Sequence, residues 1–456
     1  MFSRTEIILS LLLIVVVSVS SSAHTAEPIF TVGVCTHFIQ NKGIPVLNMA
    51  SMTAAGITAI RDEAYWSGIE REKGTFIISP TLERYVEEAW NAGIDVLMVL
   101  DYANRNYDNG DKPKSPEAIN GYCRYAEFLA NHFKGKIRWY EIWNEYDIGI
   151  GMRAPYNKGG SPEDYVRMLK AVYLRLKKID PTSTVITGAC ADGGLRRGWL
   201  EGIVKLGALE YCDAISFHPY CYGDPFPERT PDACVEWIGR TQTMLRSYSG
   251  GKDVPIYVTE VGWPSHLGRR SAEPELAASY LARLYLLART EPWFKGLWWY
   301  DFQDDGWNPA VNEDNFGIVR PDLTPKPSYY VLANIADLVV NGQFTGRITT
   351  PDNALTALSF ELGGLTVWAL WSSDDKDRQV LLHTASKGNA LEIRECGHKA
   401  VKALWGYRAW FGERSAELQP NQVSILVGPR PVLVSGNLEG VTINEVLPRF
   451  REAKAE

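Results

Sequence analysis

The sequence predicts an α/β chain, a (β/α)8 TIM barrel followed by a C-terminal β-sandwich. Three observations predict it. Eight short, nearly continuous apolar runs alternate with amphipathic helical patterns over about 300 residues, as parallel strands buried on both faces require. The runs end in polar and aromatic residues, where a barrel carries its functional groups. Beyond about Ile348 the helical patterns stop, and short strand-like runs separated by turn residues take over.

The elements follow in order. "FTVGVCTHF" (30–38) is strand-like, "GITAIRDEAYW" (56–66) holds the second strand, and "GIDVLMVLDYAN" (93–104) the third. "IRWYEIWNE" (137–145), "STVITGACADG" (183–193), "CDAISFHPY" (212–220), "VPIYVTEVGWPS" (254–265) and "GLWWYDFQDDG" (296–306) complete the eight. Ser161 followed by Pro162 predicts an N-cap and first helical position, with Leu169, Val172, Tyr173 and Leu176 on one face. "SPEAINGYCRYAEFLANHF" repeats the device, and similar patterns fill 81–91, 231–248, 273–289 and 327–340. Gly56, Gly93 and Gly296 stand where helices are expected to end before strands. The rival architecture, an open doubly wound sheet, lacks the GxGxxG turn of its commonest dinucleotide-binding form.

Residues 27–345 are therefore expected to form the barrel, 346–440 the sandwich, and 441–456 a polar tail. Residues 1–26 read as a signal peptide: Arg4, then an apolar run from Ile7 to Val17, then small residues, with cleavage expected after Ala23 or Ala26. An uncleaved N-terminal anchor is the rival. Either predicts a secreted or envelope-associated protein.

Composition narrows the function. With 47 Lys and Arg against 54 Asp and Glu the net charge is −7, which supplies no phosphate-neutralising stripe and excludes nucleic acid as the main partner. The 15 Trp and 22 Tyr offer ring faces that suit sugar C–H surfaces. The chain has no CxxC or HExxH spacing, so no metal and no cofactor is expected; no obligate protein partner is inferred. Among seven Cys, Cys35, Cys190 and Cys212 fall in strands as small buried hydrophobes, while Cys221 and Cys234 flank a Pro-rich loop and are placed to form a disulfide.

The strand ends carry the chemistry. His37 ends the first strand, Arg61 the second (followed by Trp66), Asn144 and Glu145 the fourth, His218 and Tyr220 the sixth, and Glu260 the seventh. Two carboxylates facing each other across a barrel mouth suit glycoside hydrolysis, at the roughly 5–5.5 Å separation of the retaining mechanism. Arg61 and Tyr220 are expected to hold Glu260 ionised as nucleophile. Partial burial and the like charge of Glu260 are expected to keep Glu145 protonated as acid/base. Asn144 is expected to bind a sugar hydroxyl, and one strand-eight Trp, Trp299, to floor the sugar site. A single Glu at a strand end is usually just an exposed carboxylate; here five of eight strands end in residue types that one mechanism needs.

These stretches resemble clan A glycoside hydrolases over about residues 30 to 345. "WNE" matches the strand-four motif, implying Glu145 as acid/base with Asn144 before it, and Glu260 in "VTEVGW" matches the nucleophile. "HPY" matches the strand-six His-x-Tyr, whose Tyr hydrogen-bonds the nucleophile, and Arg61 the strand-two arginine. Within the clan, "THF", "YWSGIEREKGTF" and the appended sandwich look most like family 39, which includes β-xylosidases, α-L-iduronidases and an endo-acting hydrolase of a bacterial biofilm exopolysaccharide. "WWYDFQDDG" and the N-terminal apolar segment look closer to that last enzyme. The resemblance implies an oligo- or polysaccharide substrate and cleavage inside the chain. Exo action, set by the loops 101–121 and 147–162, is the alternative. A carbohydrate-binding barrel without catalysis is the rival from another class.

Overall fold

The computed structural model describes residues 30–384, 390–397, 401–404 and 421–448. The expected signal segment, 1–26, lies outside them. No helix among the described residues is long and apolar enough to cross a membrane.

Eight parallel strands form the barrel: β1 (Thr31–Cys35), β2 (Ala59–Tyr65), β3 (Asp95–Asp101), β4 (Ile137–Ile142), β5 (Thr184–Thr187), β6 (Ile215–Phe217), β7 (Ile256–Val261) and β8 (Phe294–Trp299). They pair in the order β5-β4-β3-β2-β1-β8-β7-β6. Parallel bridges Ile186↔Ala214 and Cys190↔Phe217 join β5 to β6 and complete the ring. Inside it, Cys35, Leu97, Val99, Trp139, Ile186 and Trp298 pack as a separate buried cluster. Trp139 and Trp298 meet edge to face at 5.3 Å. Trp298 fits because residue 33 is Gly: a Cβ there would lie 2.4 Å from the indole.

Helices alternate with the strands as expected. Ser79, Ser115, Ser161 and Thr230 each cap a helix whose first residue is Pro, accepting from the N–H of Leu82, Ala118, Asp164 and Ala233. The cap satisfies one orphan donor, and proline occupies a position whose N–H has no intrahelical partner. Gly56 and Gly93 adopt the positive φ of helix ends (72° and 70°). Gly296 does not: it lies within β8, where a Cβ would strike Thr31 and Tyr257. Its absent side chain serves close packing, not a helix end.

The helix Pro274–Ala288 is buried continuously from Ala277 to Ala288, because the barrel covers one side and the C-terminal unit another. Arg283 in that helix is fully buried. It donates to Asp232 of the barrel, and to Asp375 (2.6 Å) and the Ser373 carbonyl (3.2 Å) of the sandwich. A buried guanidinium needs this full set of acceptors.

Among the described residues, the sandwich pairs a six-stranded sheet with a three-stranded one. Its core includes Leu355, Leu370, Val380, Leu382, Ile425 and Val434. Two expected boundaries are corrected. The strand Gln343–Arg347 already belongs to the sandwich, paired with Leu355–Leu362, so the unit starts before 346. Residues 441–448 are not a tail but the strand Val441–Pro448, paired with Arg378–Thr384. A bulge opposite Leu381/Leu382 interrupts its alternation, so Val441 and Ile443 point inward but the phase then slips. The remainder of the expected tail, 449–456, lies outside the described residues.

Candidate active site

The C-terminal strand ends converge on Arg61 from β2, which is 5% exposed. Its guanidinium makes three charge-assisted or polar contacts: Nε to Glu141 Oε2 (2.7 Å), Nη1 to Glu260 Oε1 (2.6 Å) and Nη2 to Asn144 Oδ1 (2.8 Å). One planar fork thus fixes residues from β4 and β7 relative to β2. Glu141 is fully buried in β4. Sequence reasoning missed it, although a Glu amid "RWYEIW" is a signal in itself: a carboxylate in a buried strand requires a cation.

Glu260 in β7 is held on both oxygens. Oε1 accepts from Arg61, and Oε2 accepts from the Tyr220 hydroxyl at 3.0 Å. His218 Nδ1 stands 3.5 Å from the same Oε2. Charge-assisted contacts of this kind fix the carboxylate in position.

Glu145 lies three residues past β4, on a backbone that few side chains tolerate. Trp143 and Glu145 have φ of 72° and 48°. Such left-handed non-glycine residues cost energy and cluster at functional sites. The turn is over-determined by its surroundings: the Trp143 N–H donates to Leu100 and the Glu145 N–H to Ala189. Residue 188 must be Gly, since a Cβ would lie 1.7 Å from the Ile142 carbonyl oxygen.

Glu145 Oε1 is 2.9 Å from His218 Nδ1. His218 is fully buried, and burial lowers its pKa, which favours the neutral imidazole. Burial likewise raises the Glu145 carboxyl to about 7; Arg61 opposes, while Asp192, Glu313 and Glu141 add to the rise. The expected cause was partial burial plus Glu260. Burial does lead, and the like charges that count are these three instead. One donor atom each of Glu145, His218 and Glu260 lies within 4.8 Å of the other two.

Asn144 donates its Nδ2 to the Tyr102 hydroxyl at 2.8 Å, while its Oδ1 accepts from Arg61. Tyr102 follows β3, a strand for which sequence reasoning named no site residue. The amide is therefore oriented, with one N–H left to donate.

His37 lies two residues past β1, at one side of the mouth. Its Nδ1 is 2.8 Å from Asp305 and 3.8 Å from Asp301. Burial alone would lower its pKa, but the Asp305 hydrogen bond and the charges of Asp301, Asp305 and Asp62 raise it to about 9. It lines a shallow cleft with Lys42, Asn48, Asp301, Gln303 and Asp305. Lys42 pairs with Asp305 at 2.7 Å, and Asn48 donates to Gln303 at 2.8 Å.

Two expected site residues lie elsewhere. Trp66 is fully buried, stacked on Tyr107 at 4.9 Å, with its Nε1 donating to Glu70. Trp299 is 1% exposed and stacks on Trp263 on the helix side of the barrel wall. Strand alternation sends Trp298 inward and Trp299 outward, so neither floors the mouth. Tyr300, just beyond β8, is the ring at the mouth, edge-on to His37 (5.6 Å) and Tyr220 (6.2 Å).

Among the described residues, two side-chain triads have the geometry to approach a cation: Glu145/His218/Glu260 and His37/Asp301/Asp305. Each already holds a cationic side chain, Arg61 on Glu260 and Lys42 on Asp305. That neutralises the charge a metal would need.

No family model and no curated protein matches the chain. Solved structures do. A family 39 glycoside hydrolase from the gut symbiont Bacteroides cellulosilyticus WH2 is 25% identical, with a TM-score of 0.73 over 90% of this chain and 81% of that one. A GH30 endoxylanase from Clostridium papyrosolvens C71 (10% identity, TM-score 0.59) is covered over 97% of its length by 90% of this chain. A monomeric β-xylosidase from Caulobacter crescentus CB15 (14%, 0.56) is covered over 98% by 93% of this chain. The latter two likenesses concern the fold alone. By its fold and its likeness to the Bacteroides enzyme, the chain is a glycosidase that resembles clan A glycoside hydrolases, family 39 in particular.

Proposed function

We propose that the chain hydrolyses glycosidic bonds of a polysaccharide with retention, through a covalent glycosyl-enzyme. The observation that carries this is the approach of Glu145 and Glu260, one oxygen of each within 4.8 Å. Such closeness suits the retaining geometry of roughly 5–5.5 Å and leaves no room for the water that inverting pairs, roughly 6.5–9.5 Å apart, must admit.

In this reading Glu260 attacks the anomeric carbon, and its bonds to Arg61 and Tyr220 aim it. Glu145, protonated below about pH 7, gives its proton to the leaving oxygen and then takes one from the incoming water. The free N–H of Asn144 donates to the sugar 2-hydroxyl, a bond that strengthens as oxocarbenium charge develops. His37 and Tyr300 line the sugar site, in the place expected for Trp299. The apolar N-terminal segment exports the protein or anchors it in the envelope.

Cleavage inside a bacterial exopolysaccharide is the substrate reading that the sequence resemblance supports. Removal of terminal sugars is a second reading, favoured by one observation. The Lys42–Asp305 and Asn48–Gln303 contacts bridge the segments after β1 and β8, and so wall one side of the mouth. Size-resolved products from a panel of polysaccharides distinguish the two: a ladder of oligomers means internal cleavage, and monosaccharide from the first minutes means terminal cleavage. Proton NMR of the first-formed anomer tests the shared mechanism. Retention is expected; an inverted product overturns the two-carboxylate assignment.

A further inference from the structure

The segment after β6 contains a feature that hydrolysis does not use. Cys221 directly follows Tyr220, and Cys234 sits in the first turn of the helix Pro231–Tyr248. The structure holds both as free thiols, not as the expected disulfide, with their side chains close enough to interact. Cys234 Sγ also lies 3.6 Å from the Pro219 carbonyl oxygen, so the helix start is packed onto the His218–Cys221 segment. Both residues are buried, 3% and 1% exposed. The stretch between them, 222–230, is mostly exposed and includes Phe226 at 48%.

We propose that Cys221 and Cys234 form a disulfide that closes this loop and ties the end of β6 to the following helix. The chemistry balances by thiol–disulfide exchange with a small or protein disulfide. One thiolate attacks a sulfur of that disulfide, forms a mixed disulfide and expels the first thiolate. The second cysteine then attacks the mixed disulfide and expels the other. Two thiols are oxidised, one disulfide is reduced to two thiols, and both cysteine protons pass to the products. The hydrogen bond with Cys234, and burial, push the Cys221 thiol well above its ordinary range. Exchange therefore belongs to the open loop, before burial is complete.

What the bond would hold in place follows from the neighbours. The tied segment carries His218, 2.9 Å from Glu145, and Tyr220, 3.0 Å from Glu260. A cross-link here removes conformations from the unfolded chain and holds the backbone of both residues against the helix. This inference stands on the cysteine geometry and does not depend on the glycosidase reading.

The test uses the full chain, incubated with a mixture of oxidised and reduced glutathione, unfolded in an alkylating agent and mapped by peptide mass. The expected result is a linked peptide pair containing residues 221 and 234. Reduction should lower the thermal midpoint by about 3–6 °C, and that difference should vanish in Cys234→Ala. Alkylation of both cysteines after glutathione treatment, linkage of either to another cysteine, or equal midpoints with and without reductant would each overturn the proposal.

Discussion

Glu260→Ala is expected to lower kcat/KM by roughly 10⁴- to 10⁶-fold, the scale on which removal of a covalent nucleophile acts. The folded state should survive, because the lost carboxylate is the most exposed member of the Arg61 cluster, with 11% of its side chain accessible. Arg61 would keep Glu141 and Asn144 as partners. The cavity left beside Arg61 is suited to a small anion. Azide or formate should therefore restore part of the turnover on an activated aryl glycoside, with the product configuration inverted. Activity close to that of the parent protein would remove Glu260 from the nucleophile role.

Glu145→Gln is expected to separate the two halves of the reaction. A glycoside with a poor leaving group should lose about 10²- to 10⁴-fold, the usual contribution of general acid catalysis. An activated aryl glycoside needs no proton, so its first step should be spared and the glycosyl-enzyme should accumulate. The pH profile gives the same residue a second readout. Glu145 must be protonated to act first, and burial places its carboxyl at about 7. The parent kcat/KM should fall as the pH rises through about 7, since above that value the acid is ionised. In Glu145→Gln this alkaline limb should disappear. Its persistence there would assign the limb to another group.

Much of this site was legible because barrel topology turns position into function. Once the runs at 137–145, 212–220 and 254–265 are read as strands, Glu145, His218, Tyr220 and Glu260 must meet at one face, and they do. The helices were equally readable, since Ser-Pro and Thr-Pro pairs mark their starts by a local mechanism. What sequence could not settle was rotational phase. Two adjacent Trp at 298 and 299 look alike in one dimension, and their fates depend on where β8 begins. It begins at Phe294, which turns Trp298 into the barrel, Trp299 into the wall and leaves Tyr300 at the mouth. Trp66 was misread similarly: it follows β2 but folds under Tyr107 and onto Glu70.

Glu141 illustrates a different limit. Its pairing with Arg61 spans 80 residues, and no local pattern announces it. Only the energetic demand of a buried carboxylate points to a partner, and that demand does not say which cation answers. The strand Val441–Pro448 was hidden by its bulge, which breaks the period on which strand reading relies.

The central claim is that Glu260 becomes covalently glycosylated while Glu145 manages the proton. The most direct measurement is incubation of the protein with a panel of mechanism-based 2-fluoroglycosides, followed by peptide mass mapping. The expected result is a single sugar adduct on the peptide containing Glu260, with the reactive member of the panel identifying the accepted sugar. An adduct on any other carboxylate would contradict the account.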